Sequence, residues 1–258
     1  PKLKHFRMTG GEPMLDKNTY KVFDYVLALP NPELHLNVTS NFSVEYPLFE
    51  KYLDYVKQLC NTNIEHFMQY VSLDTGNWEH ASYIRNGLNM HRVHENVNRY
   101  LHEVPYRNSL TFIITMNNLS VLGIQRQLEW ILELRKKHST TYQRVWFDTP
   151  ILREPAWQCL DILPESYAWF LENIVNWMKP QTETIDTRFN GFKDYEITKL
   201  QRVVDWMREH HREDTKIMAD FYRFFSEHDK RRKTNFLQTF PEMVEWYNTC
   251  KYWADTNA

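Results

Sequence analysis

Cysteine is nearly missing from this chain: Cys60, Cys159 and Cys250 are the only three in 258 residues, and they lie far apart. That spacing excludes a disulfide framework and a Cys-x-x-Cys site, and it points to a reducing, cytoplasmic setting. An excess of charge is missing too. Lysine and arginine total 31 against 33 aspartates and glutamates, so no net field draws in a polyanion such as nucleic acid. No stretch approaches the roughly 20 apolar residues of a membrane span. There is no internal repeat and no low-complexity linker. The opening residues read as strand and not as a signal peptide, so the chain is expected to lack its true N-terminus. What is there is ordinary for a globular protein: 42% hydrophobic and 25% charged residues, with aromatics at 15%. The length suits one barrel-sized domain or two small ones.

Strand and helix patterns alternate. Leu3–Met8, Glu33–Thr39, His66–Leu73, Leu110–Thr115 and Arg144–Asp148 read as strands. Between them, helical periodicity runs from Lys17 to Leu29, from Pro47 onward, from Asn89 to Val104 and from Ser120 to Lys137, and it returns from Pro164 to Lys179. A loop is expected between Leu73 and Asn89. Strands spaced by helices of this length imply parallel βαβ units. From Asp194 onward the pattern is helical without strands. The expected division is a β/α part over residues 1–185 and a helical extension over 186–258.

Within the strands, one parity is polar. Leu34, Leu36 and Val38 alternate with His35, Asn37, Thr39 and Asn41. Ser72 and Asp74 share a parity opposite to Val71 and Leu73, and Thr111, Thr115 and Asn117 repeat the arrangement. A strand in a doubly wound sheet is usually apolar on both faces. Polar residues toward the carboxyl ends of parallel strands mark the ligand end of open sheets and barrels alike. The polar face favours an incomplete barrel that holds a ligand.

The first strand runs into Thr9-Gly10-Gly11-Glu12-Pro13. Two glycines leave backbone bare for a ligand to touch, while Glu12 stands where a phosphate would approach and disfavours it. A carboxylate beside bare backbone suits a small cation such as an alkylammonium.

This run resembles the Gly-Gly-Glu motif with which radical S-adenosylmethionine (SAM) enzymes cradle the amino group of SAM. Val71-Ser72-Leu73-Asp74-Thr75-Gly76, followed by Tyr83-Ile84-Arg85-Asn86-Gly87, resembles the Ser-x-Asp…Tyr-Ile-Arg-x-Gly pattern of the subgroup with SPASM or twitch domains. Thr39-Ser40-Asn41 resembles the Thr-Asn at the end of a barrel strand, and Asn117-Asn118 a polar pair after a later one. Asp229 to Arg232, Asn235-Phe236 and Phe240-Pro241-Glu242 resemble the tail of twitch-type members. The resemblance spans essentially the whole chain. It implies a partial parallel (β/α)6-type barrel lacking its first β/α unit. It further implies SAM contacts at Gly10, Gly11, Glu12, Thr39, Asn41, Ser72, Asp74, Arg85 and Asn117, with Ser72 and Asp74 near the ribose and methionyl end and Arg85 on the carboxylate.

The Cys-x-x-x-Cys-x-x-Cys that ligates the family's [4Fe-4S] cluster is absent. It is expected upstream of Pro1, so this chain alone is expected to bind no cluster and to be catalytically silent. The full-length protein would cleave SAM reductively to a 5′-deoxyadenosyl radical and abstract hydrogen from an unknown substrate, a peptide or protein by analogy with relatives. It would draw its electrons from an external donor.

Taken singly, each motif has a plainer reading. The glycines could make a tight turn, Glu12 could start a helix, Ser72 and Asp74 could cap a turn, and Arg85 could form a surface ion pair. Two other functions stay open: a cluster-less SAM-pocket scaffold, and an unrelated nucleotide-binding α/β enzyme. His91, His94 and His102 read as an exposed helix face in preference to a metal site. His210-His211 and the basic run His228–Lys233 read as solvated, salt-bridged surface. Trp169, Trp177, Trp206 and Trp246 read as core, and Cys60 as a small buried hydrophobe.

Overall fold

The computed structural model describes residues 3–62, 64–105, 108–139 and 141–256; Pro1 lies outside them. Five strands, β1 (His5–Met8), β2 (His35–Ser40), β3 (His66–Ser72), β4 (Ser109–Ile113) and β5 (Val145–Asp148), form one all-parallel sheet. Their order is β1-β2-β3-β4-β5. The helices α1 (Lys17–Ala28), α2 (Tyr46–Asn61), α3 (Trp78–Ile84), α4 (Met90–Glu103) and α5 (Ile124–His138) connect them. After β5 come α6 (Glu165–Met178), α7 (Asp194–His210), α8 (Thr215–Arg232), the single turn α9 (Phe236–Thr239) and α10 (Val244–Thr256), with no further strand among the described residues. This is an α/β fold. No described helix is long and apolar enough to cross a membrane.

The strand order explains the polar parity. Parallel neighbours need crossover connections, and these are right-handed almost without exception. When every crossover steps the same way along the sheet, the helices collect on one face. That face carries Leu36, Val38, Phe67, Val71, Leu110, Phe112, Val145 and Phe147, all buried. The helices meet it with their apolar stripes: Tyr20, Phe23 and Val26 of α1, Tyr52 and Val56 of α2, and Ile124, Leu128 and Ile131 of α5. The other face carries His35, Asn37, Thr39, His66, Met68, Tyr70 and Ser72, all half-buried, with Arg7 and His5 exposed.

Sequence signals at the helix ends are used as physical chemistry dictates. Asp16, Asn77, Asn89 and Asp214 cap α1, α3, α4 and α8 by accepting backbone N–H groups of the first turn. Pro47 lies in the first turn of α2, which begins one residue earlier than expected. At the other end of α4, the buried guanidinium of Arg144 donates to the carbonyls of Leu101 and Val104.

The helical extension is tied to the sheet by a buried ion pair. Arg135 on α5 and Glu196 on α7 are both fully buried and paired through two hydrogen bonds, at 2.6 and 3.0 Å. Arg135 also donates to the carbonyls of Val145 on β5 and Gly191. One guanidinium thus joins α5, β5, the loop before α7 and α7 itself, and all its partners are hydrogen-bond acceptors of good geometry.

Some expectations need correction. The segment between β3 and α4 is not simply a loop, because it contains α3. His91 and His102 are exposed as expected, but His94 is not part of an open helix face. Its ring stacks on Trp130 at 3.8 Å, and desolvation, with the charge of His91, lowers its pKa from 6.5 to about 4. Trp169 is 54% exposed and is not core, whereas Trp246 is buried and Trp177 and Trp206 pack half-buried against the core. Cys60 is only partly buried. The basic run is salt-bridged as expected, with Arg231 on Glu227 at 2.7 Å.

Two predictions follow from this packing. Replacing Arg135 by methionine strands Glu196 without its partner, and breaking a buried pair costs about 3–5 kcal/mol; urea denaturation of Arg135→Met should show that loss, and the Arg135→Met/Glu196→Leu double variant should recover most of it. The second concerns acid. Burial lowers the pKa of both His94 and His138 to about 4, so the unfolded chain binds their protons first. Their contribution is fully present above about pH 6.5 and is lost as pH falls toward 4. The thermal midpoint should drop across that window, and His94→Phe, which keeps a ring on Trp130, should make the drop shallower.

Candidate functional site

Past the carboxyl end of β1 the chain turns through Gly10 and Gly11, whose φ values are +93° and +53°. A Cβ at either position would meet nothing within 4 Å, so left-handed backbone and not crowding requires glycine here. The turn carries Glu12 back over the strand ends. One of its carboxylate oxygens accepts the N–H of Met14 at 3.2 Å, and the other accepts the N–H of Asn41 at 3.1 Å. Glu12 therefore bridges the loops after β1 and β2. It does not start a helix, since α1 begins at Lys17.

After β2, the side chain of Asn41 accepts the N–H of Ser43 at 2.8 Å, so its role is to shape the turn while its backbone holds Glu12. After β3, Asp74 is buried and receives Arg85 through two hydrogen bonds, Nε to Oδ2 at 2.8 Å and Nη2 to Oδ1 at 3.2 Å. Asp74 Oδ1 also accepts the N–H of Thr115 at 3.2 Å, which ties the β3 and β4 ends together. This is a two-point guanidinium–carboxylate pair, and such pairs fix orientation as well as charge. Arg85 itself remains about one-third exposed.

Glu12, Asn41 and Arg85 line one cavity of about 480 Å³, together with Ser43, Gly87 and Leu88. That size is within the usual range of small-molecule sites. Its lining includes two acidic residues, Glu12 and Glu45, and one arginine, Arg85; Glu45 is paired with Arg92 at 3.2 Å. Glu12 has lone pairs left beyond its two backbone donors, and Arg85 has N–H donors left beyond Asp74.

The remaining expected site residues are distributed differently. Gly10 and Gly11 form the turn beside the cavity. Ser72 sits on the polar sheet face, in register with Ile113 and, one strand further, Asp148. Thr39, on the same face, accepts a hydrogen bond from Arg7. Asn117 stands apart: its side chain accepts from Leu119 and Ser120 and donates to the carbonyl of Thr115. These bonds shape a turn after β4, and Asn117 is not among the residues that line the cavity.

Arg85 is positioned by the far end of the chain. Tyr83, in the last turn of α3, donates to Asp229 of α8 at 2.8 Å. Its ring lies among Phe225, His228, Phe236 and Phe240. Burial, followed by the hydrogen bond to Asp229, raises the Tyr83 pKa far above the ordinary 10.0. Asp229 in turn accepts from Thr234 and from the N–H of Phe236. The loop before α3 is pressed onto α5, where a Cβ on Gly76 would stand 2.3 Å from the backbone N of Gln127. The two ends of α3 are therefore fixed independently.

Among the described residues, no group of three or more His, Cys, Asp or Glu side chains is arranged to hold a metal ion. The three thiols are free. Burial pushes the Cys60 thiol up to about 12 and the Cys159 thiol up to about 11, and it raises Cys250 as well. None is poised as a thiolate.

No family model, no curated protein and no solved structure matches this chain.

The brace on α3 yields a test. Tyr83→Phe keeps the ring and removes one hydrogen bond to a charged acceptor, a change worth about 1.5–3 kcal/mol. Denaturant unfolding should report a loss of that order, while Tyr25→Phe on the exposed side of α1 should change little.

Proposed function

We propose that this chain is the SAM-binding part of a radical SAM enzyme. The observation that carries the reading is the single cavity shared by Glu12, Asn41 and Arg85, which come from three separate sequence motifs and three separate strand ends. The methionyl end of SAM carries an ammonium and a carboxylate. Glu12 suits the first and Arg85 the second, and both enter the cavity with capacity to spare. Asp74 acts through Arg85, holding the guanidinium flat, and the Tyr83–Asp229 brace holds the helix from which Arg85 emerges. The uninterrupted strand order, which never reverses as a doubly wound sheet does, suits a partial (β/α)6-type barrel lacking its first unit.

The described residues of this chain do not fit a [4Fe-4S] cluster, since cluster ligation takes neighbouring thiolates, and they hold no group of three such ligands and no thiol with a lowered pKa. On this reading the ligating cysteines belong to residues outside it. Bound SAM supplies a sulfonium whose reductive cleavage yields a carbon radical; this chain's share is to bind the methionyl end, orient it and keep it at the strand ends.

The test is isothermal titration of SAM into the chain and into its Glu12→Gln variant. Loss of a charge-assisted hydrogen bond should weaken binding by about 1.5–3 kcal/mol, or roughly tenfold to over a hundredfold. Equal affinity in the two proteins, or binding of a nucleoside triphosphate with none of SAM, would overturn the proposal.

A further inference from the structure

The sheet face opposite the connecting helices has a charge pattern of its own. Parallel register places its residues in rows. His5, His35 and His66 form the first, Arg7, Asn37, Met68 and Ser109 the second, and Thr39, Tyr70, Thr111 and Trp146 the third. In the first row the His5 and His35 rings stack at 4.7 Å, and His35 and His66 lie at 6.1 Å. In the second, Arg7 reaches one row forward. Its Nη2 and Nε donate to Thr39 Oγ1 at 3.2 and 3.4 Å, and its guanidinium carbon lies 4.4 Å from the centre of the Tyr70 ring.

Arg7 has no carboxylate partner among the described residues. Asp148, at the end of β5, is the only carboxylate within the five strands, and Lys199 of α7 already occupies it at 2.7 Å. The half of the face formed by β1, β2 and β3 therefore offers a guanidinium that no described carboxylate answers, beside an amide and hydroxyls. A surface arginine usually finds a carboxylate or swings freely in water. This one is held against a ring and a hydroxyl, with N–H donors left over from those contacts. A planar guanidinium stacked on an aromatic ring is the arrangement that receives a carboxylate or phosphate in two-point fashion.

We propose that the β1–β3 half of this face is an anion-binding cleft in which Arg7, steadied by Thr39 and Tyr70, receives a carboxylate or phosphate group of the substrate. The Arg7 guanidinium lies in the row of Thr39 and Tyr70, two residues before Asn41 at the cavity, so at about 3.3 Å per residue the anion would sit roughly 7 Å below it. Naming that anion part of the substrate rests on the SAM reading; the anion site itself does not.

The experiment follows the Arg7 side-chain Nε–H resonance by NMR during titration with inorganic phosphate and, separately, with acetate. A saturable shift is expected with at least one probe, and whichever binds more tightly identifies the phosphoryl or the carboxylate source. In Arg7→Gln, followed through the imidazole resonances of His35, binding should weaken at least tenfold. Thr39→Val, which keeps the charge and removes its hydroxyl anchor, should weaken it about threefold. SAM affinity should stay within twofold in Arg7→Gln. Absence of a saturable shift with both probes, or unchanged anion affinity in Arg7→Gln at an unchanged thermal midpoint, overturns the site. Anion binding without any SAM binding supports the cleft and removes the SAM reading instead.

Discussion

Everything that could be called a site in this protein depends on the direction in which its sheet is wound. Five parallel strands follow one another without a reversal, so the connecting helices share one face and the apolar half of each strand goes with them. The other half is left free of the need to be apolar. A doubly wound sheet with the same strands would bury both faces and would have no place for His35, Asn37, Thr39 and Tyr70. The winding thus separates two tasks that share the same backbone: one parity holds the molecule together, and the other is available to chemistry.

The second dependence is on a single buried guanidinium. Arg135 is fully buried and has acceptors on β5, before α7 and on α7. A hydrophobic contact would attach the extension with less directional control. A guanidinium fixed by four hydrogen bonds admits one orientation of α7 against the sheet. The position of Lys199, which reaches Asp148 from α7, follows from it.

Much of this architecture was legible in the chain. All five strands were readable because strict alternation over four to seven residues is a local signal, and Leu36/Val38 against Asn37/Thr39 is as clear as such signals become. The long helices were readable for the same reason. α3 was not, because seven residues complete too few turns to show a period, and its burial is dictated by aromatic residues almost 150 positions away. Asn117 closes a turn, and a polar residue after a strand looks the same in sequence whether it does that or faces a ligand. On β1, His5 and Arg7 alternate with Phe6 and Met8, but that local signal carries no information that Arg7 lies against Tyr70, two strands away. Trp169 shows the limit of composition, since a large ring at a helical spacing need not face inward. Glu12, Asn41 and Arg85 were recoverable as separate residues, but their meeting in one cavity is a tertiary fact.

The Tyr83–Asp229 contact spans 146 residues of sequence, and this has a consequence for how the molecule comes into being. Contacts between distant segments form only after the intervening chain has been brought to order. On a ribosome the sheet and its helices emerge first, while the partner of Tyr83 is still unsynthesised. The strand-end cavity therefore reaches its final shape after the sheet that carries it. Removing the polypeptide beyond α7, which leaves Glu196 on Arg135 but takes Asp229 from Tyr83, would spare the framework and spoil the site.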